Sequence, residues 1–381
     1  MEISGINALT TLVLWAGFGL SMIFGAIAPR SQFCAMGAVS DIVNMGDWTR
    51  MRMWGMAIGV AMIGFFGMAA AGLIDPDKTL YASSRFFWLS ALVGGAMFGF
   101  GMVLSPGCGS KTLVRIGGGN LKSLVVFAVM GIAAFATLKG ITAVVRVATV
   151  DRVTVDFTAN ATLPNWVAGA LGVAPAAAGL GVALMMGLSL IVWALCGQGF
   201  RRFDNLLGGL GIGAVVVAMW WVSGGLGHVT EHPETLQEVF IATNSGKSEA
   251  MSFVAPLAYT LDWLMFFSDK NKVLTLGILS VFGVVAGSAV YSLFSRRFCW
   301  EGFRDAQDPG NHLVGATLMG VGGVSAMGCT VGQDLSGISI YPEHHQFCCR
   351  CGHSGWQRGG TEISAMATGT RALMPLIREP G

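Results

Sequence analysis

The feature that most constrains this chain is a succession of apolar runs near the length of a bilayer crossing. A membrane-spanning helix needs about 20 mostly apolar residues. Candidates lie at 7–28, 51–74, 86–104, 121–144, 166–196, 208–222, 253–267, 273–294 and 313–328. Three of them, 208–222, 253–267 and 313–328, are short for a full crossing. Short, glycine-interrupted segments predict half-helices or re-entrant pieces. Lipid permits these only where protein or a water-filled cavity satisfies the backbone. The run 166–196 contains Pro175 and is predicted to kink or break there. Composition agrees, since only 12% of the 381 residues are charged, against roughly 25% in soluble domains. The expected fold is an all-α polytopic integral membrane protein of eight to nine apolar segments.

Residues 1–6 carry no positive charge, and no small-residue cleavage site follows the first run, so that run reads as a retained span. Loop charge predicts that 197–205, with Arg201 and Arg202, and 268–272, with Lys270 and Lys272, share the cytoplasmic side. A net charge of +2 with no basic stripe gives no reason to expect nucleic acid as a partner. The chain holds no GxxxxGK[ST] motif, so it is not itself an ATPase of that class. No metal or cofactor is expected. The methionines read as helix packing, and His228 with His232 as a loop pair too sparse for a metal.

The sequence echoes itself. RSQFCAMG at 30–37 resembles SRRFCWEG at 295–302, and each follows an apolar run. Residues 94–119 resemble 315–339: glycines every few positions, then Gly-Cys, then a glycine-rich exit. Two copies of one unit, with broken helices at matching places, point to a transporter's binding site. The expected division is an N-terminal half, 1–150, a C-terminal half, 151–340, and a non-membrane tail, 341–381. The copies are unequal, because 51–74 separates Cys34 from Cys108 with no counterpart between Cys299 and Cys329.

The tail breaks the pattern. It is polar, has no helical period, and holds Cys348, Cys349, Cys351, His344, His345 and His353. The ligand types suit zinc, but their spacing matches no common zinc pattern. The tail reads instead as frameshifted or disordered. Codons permitted for 340–364, read one base later, can encode a further apolar span.

The chemistry sits in the cysteine loops. Glycines strip away side chains, so a ligand can approach backbone N–H groups closely. A following helix presents such groups with the positive end of its dipole. In LSPGCGSKTLVRIGGGN, Gly107 and Gly109 flank Cys108, and Lys111 and Arg115 raise the local potential for an anion. In AMGCTVGQ, Cys329 stands among Gly328, Gly332 and Gln333. A neutral thiol is a weak S–H donor and a soft, polarizable contact for a sulfur-bearing anion. Cys34 is the third candidate, with buried packing as its alternative. Cys299 looks like part of a solvated loop and Cys196 like a core residue. The loops therefore read as sites in series for an anion containing sulfur.

At these residues the sequence resembles the YeeE/YedE family of membrane proteins, the sulfur-transport family that includes thiosulfate uptake permeases. The likeness covers roughly 7–339. It implies a multi-pass permease of the bacterial inner membrane, shaped as an hourglass of two related halves with partly penetrating helices. It further implies that Cys34, Cys108 and Cys329 pass thiosulfate inward by successive S–H···S hydrogen bonds. A TusA-like sulfur-carrier protein is the implied partner. Asp334 departs from the family pattern, and a carboxylate near a dianion site repels its ligand. Two alternatives stay open at this point: transport of a selenium compound or another small sulfur species, and a covalent thiol or persulfide relay.

Overall fold

The computed structural model describes residues 3–340 except 83–84, 157–166, 171, 173, 232, 234–235, 270–272 and 304–306. The tail 341–381, with the zinc and frameshift readings, lies outside the described residues, as does His232. The described chain is overwhelmingly helical. Its strands are two antiparallel pairs of two residues each: β1 (Arg85–Phe86) with β2 (Val155–Asp156), and β3 (His228–Val229) with β4 (Val239–Phe240). Seven helical stretches are long and apolar enough to cross a membrane. Inside lipid the backbone must satisfy its own hydrogen bonds, so apolar runs of this length become helices.

In chain order, α1 is Ile3–Ser31, α2 Ala35–Met45, α3 Thr49–Ala70, α4 Trp88–Leu104, α5 Gly109–Gly117 and α6 Leu121–Lys139. Next come α7 (Ile141–Ala148), α8 (Pro175–Leu195) and α9 (Phe203–Leu226). The series closes with α10 (Val254–Met265), α11 (Leu276–Phe294), α12 (Gln307–Ser325) and α13, 330–340. The run 166–196 breaks at Pro175 as predicted, since 167–170 is helical and a new helix starts at the proline. Pro175 opens α8 at the first helical position, where its missing N–H costs nothing. The run 208–222, expected to fall short, is the centre of the 24-residue α9. That helix is drawn out by π-helical turns at Leu207–Gly211 and Val222–Leu226. By contrast α10 has 12 residues, about 18 Å at 1.5 Å per residue, and is short as predicted. The run 121–144 is interrupted at Gly140, which separates α6 from α7.

Two ends of the bundle are distinguishable. At one, Arg30 at the end of α1 pairs with Asp204 at the start of α9 at 2.9 Å. Arg50 at the start of α3 donates to Gln32 at 2.7 Å. We call this the basic end. At the other, Ile6 of α1 clusters with Val229 and Ile241, and Lys78 bonds Glu238 at 2.6 Å. Asp75, Glu231, Glu238 and Glu249 make this the acidic end. The Leu276 N–H that opens α11 bonds the Ala242 carbonyl at 2.8 Å. The start of α11 is therefore tied to the loop that follows β4. The lysines of 268–272 lie outside the described residues.

Small residues let the helices approach closely, as membrane packing requires. Gly17 meets Leu276 and Gly25 meets Val284, so α1 and α11 run parallel. Gly94 meets Ala326 and Gly101 meets Gly315, so α4 and α12 run antiparallel. Both pairs are the helices that echo each other in sequence, yet one pair is parallel and the other opposed. A single inversion does not relate both.

Candidate functional site

Each of the three candidate cysteines stands directly before a helix: Cys34 before α2, Cys108 before α5 and Cys329 before α13. All three are buried, at 7%, 1% and 1% exposure. Two of the thiols cap their helices. The Gly37 N–H donates to Cys34 Sγ at 3.4 Å, and the Gly332 N–H to Cys329 Sγ at 3.4 Å. Sulfur thus does what Ser or Asp oxygen does at an ordinary N-cap. Because the lone pair takes the amide, the thiol's own S–H is left to donate elsewhere. Cys108 Sγ lies 3.1 Å from Ser110 Oγ instead.

The turns that deliver the first and third thiols are alike. The α1 helix ends with Phe33 N–H bonding back to the Ala28 carbonyl at 3.1 Å. The α12 helix ends with Gly328 N–H bonding to Gly323 at 2.8 Å. These are Schellman closures, and they need a left-handed residue. Glycine usually fills that place, but here it is Gln32 (φ 53°) and Met327 (φ 63°). Each strained residue sits two positions before its cysteine. Strain of this kind costs roughly 1–2 kcal/mol and persists only where surrounding structure holds it. The second turn uses Gly107 (φ 150°), where a Cβ would also press on the Lys111 side chain at 3.2 Å. Arg115 Nη1 donates to the Pro106 carbonyl at 2.6 Å and pins the same turn.

The thiols lie in series. Cys108 interacts electrostatically with both Cys34 and Cys329. A cavity flanks them at each end of the bundle. The basic-end cavity, about 340 Å³, reaches Cys34 and Ser110 and is lined by three cations, Arg50, Lys111 and Arg115. The acidic-end cavity, about 240 Å³, reaches Gly328, next to Cys329. Between them Cys108 and Cys329 sit in the packed core.

The sequence profile of the sulphur transport family matches residues 30–342. The chain belongs to that family. It is similar to the thiosulfate transporter TsuA of Spirochaeta thermophila, with 25% identity over 86% of this chain and 92% of the relative. The thiosulfate transporter TsuA of Escherichia coli is also 25% identical, over 85% of this chain and 87% of its own.

In this member of the sulphur transport family, the other predicted site residues occupy distinct roles. Lys111 lines the basic-end cavity. Gly332 is sterically required, because a Cβ there would fall 2.8 Å from Ser252 Oγ and 3.3 Å from the Tyr81 hydroxyl. At Gly328 a Cβ would crowd Gln333 at 3.1 Å. Gly109 is less constrained, since its Cβ would make only ordinary contact with Phe253 at 3.4 Å. Gln333 is buried and closes the third loop by donating to the Ala326 carbonyl. Asp334 lies half-buried in the first turn of α13, the turn that Cys329 caps.

Cys196 and Cys299 are not brought to the site. Both are exposed, so Cys196 is not the core residue expected of it. The stretch around Cys299 pairs its backbone with the exit of α5 instead: Cys299 N–H bonds Gly118 at 3.2 Å and Glu301 N–H bonds Gly119 at 3.3 Å. His228 pairs with Glu238 and stacks on Phe240. No cluster of three metal-ligating side chains exists among the described residues.

Sequence reasoning missed Arg50, Ser110 and Thr330. Thr330 follows Cys329, and its buried hydroxyl has no hydrogen-bond partner among the described residues. The hydroxyls carried a readable signal, because each sits within two residues of a candidate cysteine. Arg50 carried none; it enters through the fold.

Proposed function

We propose that this chain is a permease of the bacterial inner membrane that takes up thiosulfate, entering at the acidic end and leaving at the basic end. The carrying observation is the asymmetric pair of cavities on either side of buried, helix-capping thiols. Three cations line one cavity, while the thiols themselves offer no fixed charge. Such a path admits a soft dianion and still lets it go. The two TsuA relatives support the substrate. Positive charge at Arg30, Arg50, Arg201 and Arg202 supports a cytoplasmic basic end.

In this reading thiosulfate leaves the acidic-end cavity at Cys329, passes Cys108 and arrives at Cys34. Each neutral S–H donates to the terminal sulfur, and amide groups at the helix starts stand in for lost water. Lys111, Arg50 and Arg115 then hold the ion at the basic-end mouth, where a TusA-like sulfur carrier is a fitting receiver. No bond to carbon or sulfur is made or broken, so the protein acts as a transporter and not an enzyme. The test is uptake of ³⁵S-thiosulfate by cells expressing this chain or its Cys108→Ala variant. Uptake that survives the substitution undiminished overturns the path. A persulfide adduct on any of the three cysteines in mass spectra replaces the hydrogen-bond relay with a covalent one.

A further inference from the structure

The acidic-end cavity has a lining unlike that of its counterpart. Its charged residues are Arg146 and Glu249. Arg146 Nε lies 3.2 Å from Asp151 Oδ2, so its charge is already matched. Glu249 is paired with no cation among the described residues. Its carboxylate accepts from the Ser245 N–H at 2.9 Å and from the Ser245 hydroxyl. Farther in, the buried Tyr81 side chain interacts electrostatically with both Glu249 and Cys329. The cavity thus holds a carboxyl paired with no described cation and a phenol, and it ends at Gly328, beside the outermost thiol.

We propose that Glu249 is a proton-operated gate on anion admission, open when its carboxyl is protonated and closed when it is ionised. This rests on the permease reading above. An ionised Glu249 sets a negative charge on the route of a dianion and repels it. A protonated Glu249 carries no charge and has an O–H to donate to the arriving ion. Burial pushes the Glu249 carboxyl above the usual range, against the pull of its two bonds from Ser245. The gate therefore works nearer neutrality than an exposed glutamate would.

Other charged and titratable groups surround Glu249 on several elements. Tyr81 comes from the α3–α4 segment, Tyr259 from α10 and Arg146 from α7, while α11 contributes the uncharged Ser280. Lys247 lies on the same loop. Burial pushes the Tyr81 and Tyr259 phenols above their usual alkaline range, so both stay neutral where the gate works. Asp151 is held by Arg146, and Asp262 lies one turn beyond Tyr259. Thiosulfate itself stays a dianion across the range.

The test is ³⁵S-thiosulfate uptake into proteoliposomes carrying the full chain, between about pH 5.5 and 8.5. Wild-type uptake is expected to fall as pH rises, approaching tenfold per pH unit once the carboxyl is mostly ionised. Glu249→Gln, uncharged at every pH, is expected to keep its uptake and lose the slope. Ser245→Ala removes a bond that favours the carboxylate, so its midpoint is expected to move to higher pH. If Glu249→Gln follows the wild-type profile, or Ser245→Ala leaves the midpoint in place, the gate is overturned while the permease reading stands. If the wild type takes up no thiosulfate at any pH, both fall.

Discussion

Replacing Cys329 by serine and by alanine separates the cap that its thiol forms from the part in transport proposed for it. As an N-cap, Sγ accepts the Gly332 N–H at 3.4 Å. A serine hydroxyl can take over that bond, with an ordinary N–H···O separation of about 2.9 Å. Alanine cannot, and losing an N-cap costs about 1 kcal/mol. The alanine variant is expected to melt a few degrees lower, about 2–4 °C at most for a chain of this size, and the serine variant not to melt lower at all. Transport should order differently. Both variants lack the soft, long-reaching sulfur, so both are expected to import thiosulfate roughly tenfold more slowly, which corresponds to about 1.4 kcal/mol. The assay pairs thermal unfolding in detergent with initial ³⁵S-thiosulfate uptake in the same preparations. Wild-type uptake by Cys329→Ser would mean that only the cap matters and that sulfur has no special part. A serine variant as unstable as the alanine variant would refute the capping geometry.

Three other outcomes follow from the geometry. Gly287→Val sets a side chain against the Met22 carbonyl across the α1–α11 contact, so folded protein recovered from membranes should drop sharply in size-exclusion profiles. Lys111→Gln removes one of three cations from the basic-end cavity. It should raise KM for thiosulfate roughly tenfold at low salt and much less at high salt, as measured by uptake over a concentration series. Hydrogen bonds from Lys78 and then from His228 hold Glu238 below the usual carboxylate range. Its contribution to stability is therefore present above that range and lost as pH falls through the lowered value. The wild type should show an acid-side drop in melting temperature, and Glu238→Gln a smaller one.

Much of the site was legible before the fold. Gly-Cys ahead of a following helix announced two thiols at helix starts, and the short run at 253–267 announced a partial helix. The failures have physical causes. A hydropathy window undercounts a helix whose ends are glycine-rich, and so 208–222 was read as short although α9 continues through π turns on both sides. Gln32 and Met327 are left-handed because the chain must reverse before a cysteine, and neither residue type advertises that. Glu249 lies far in sequence from Tyr81 and Gly328, and only the packed loops bring the three into one cavity.

The strand-like pairing at 299–301 has a mechanical meaning. Gly118 and Gly119 are tied to Cys299 and Glu301, the Leu121 N–H returns to the Glu301 carbonyl at 2.9 Å, and Asn120 holds the Glu301 side chain at 2.5 Å. The far end of α5 is clasped on both sides and cannot serve as a lever. On the proposed path, yielding beside Cys108 falls to the turn at 105–108, which the Arg115 bond to Pro106 holds from one side. A spin label near Asn120 should stay still through a transport cycle, while one near Ser105 should not.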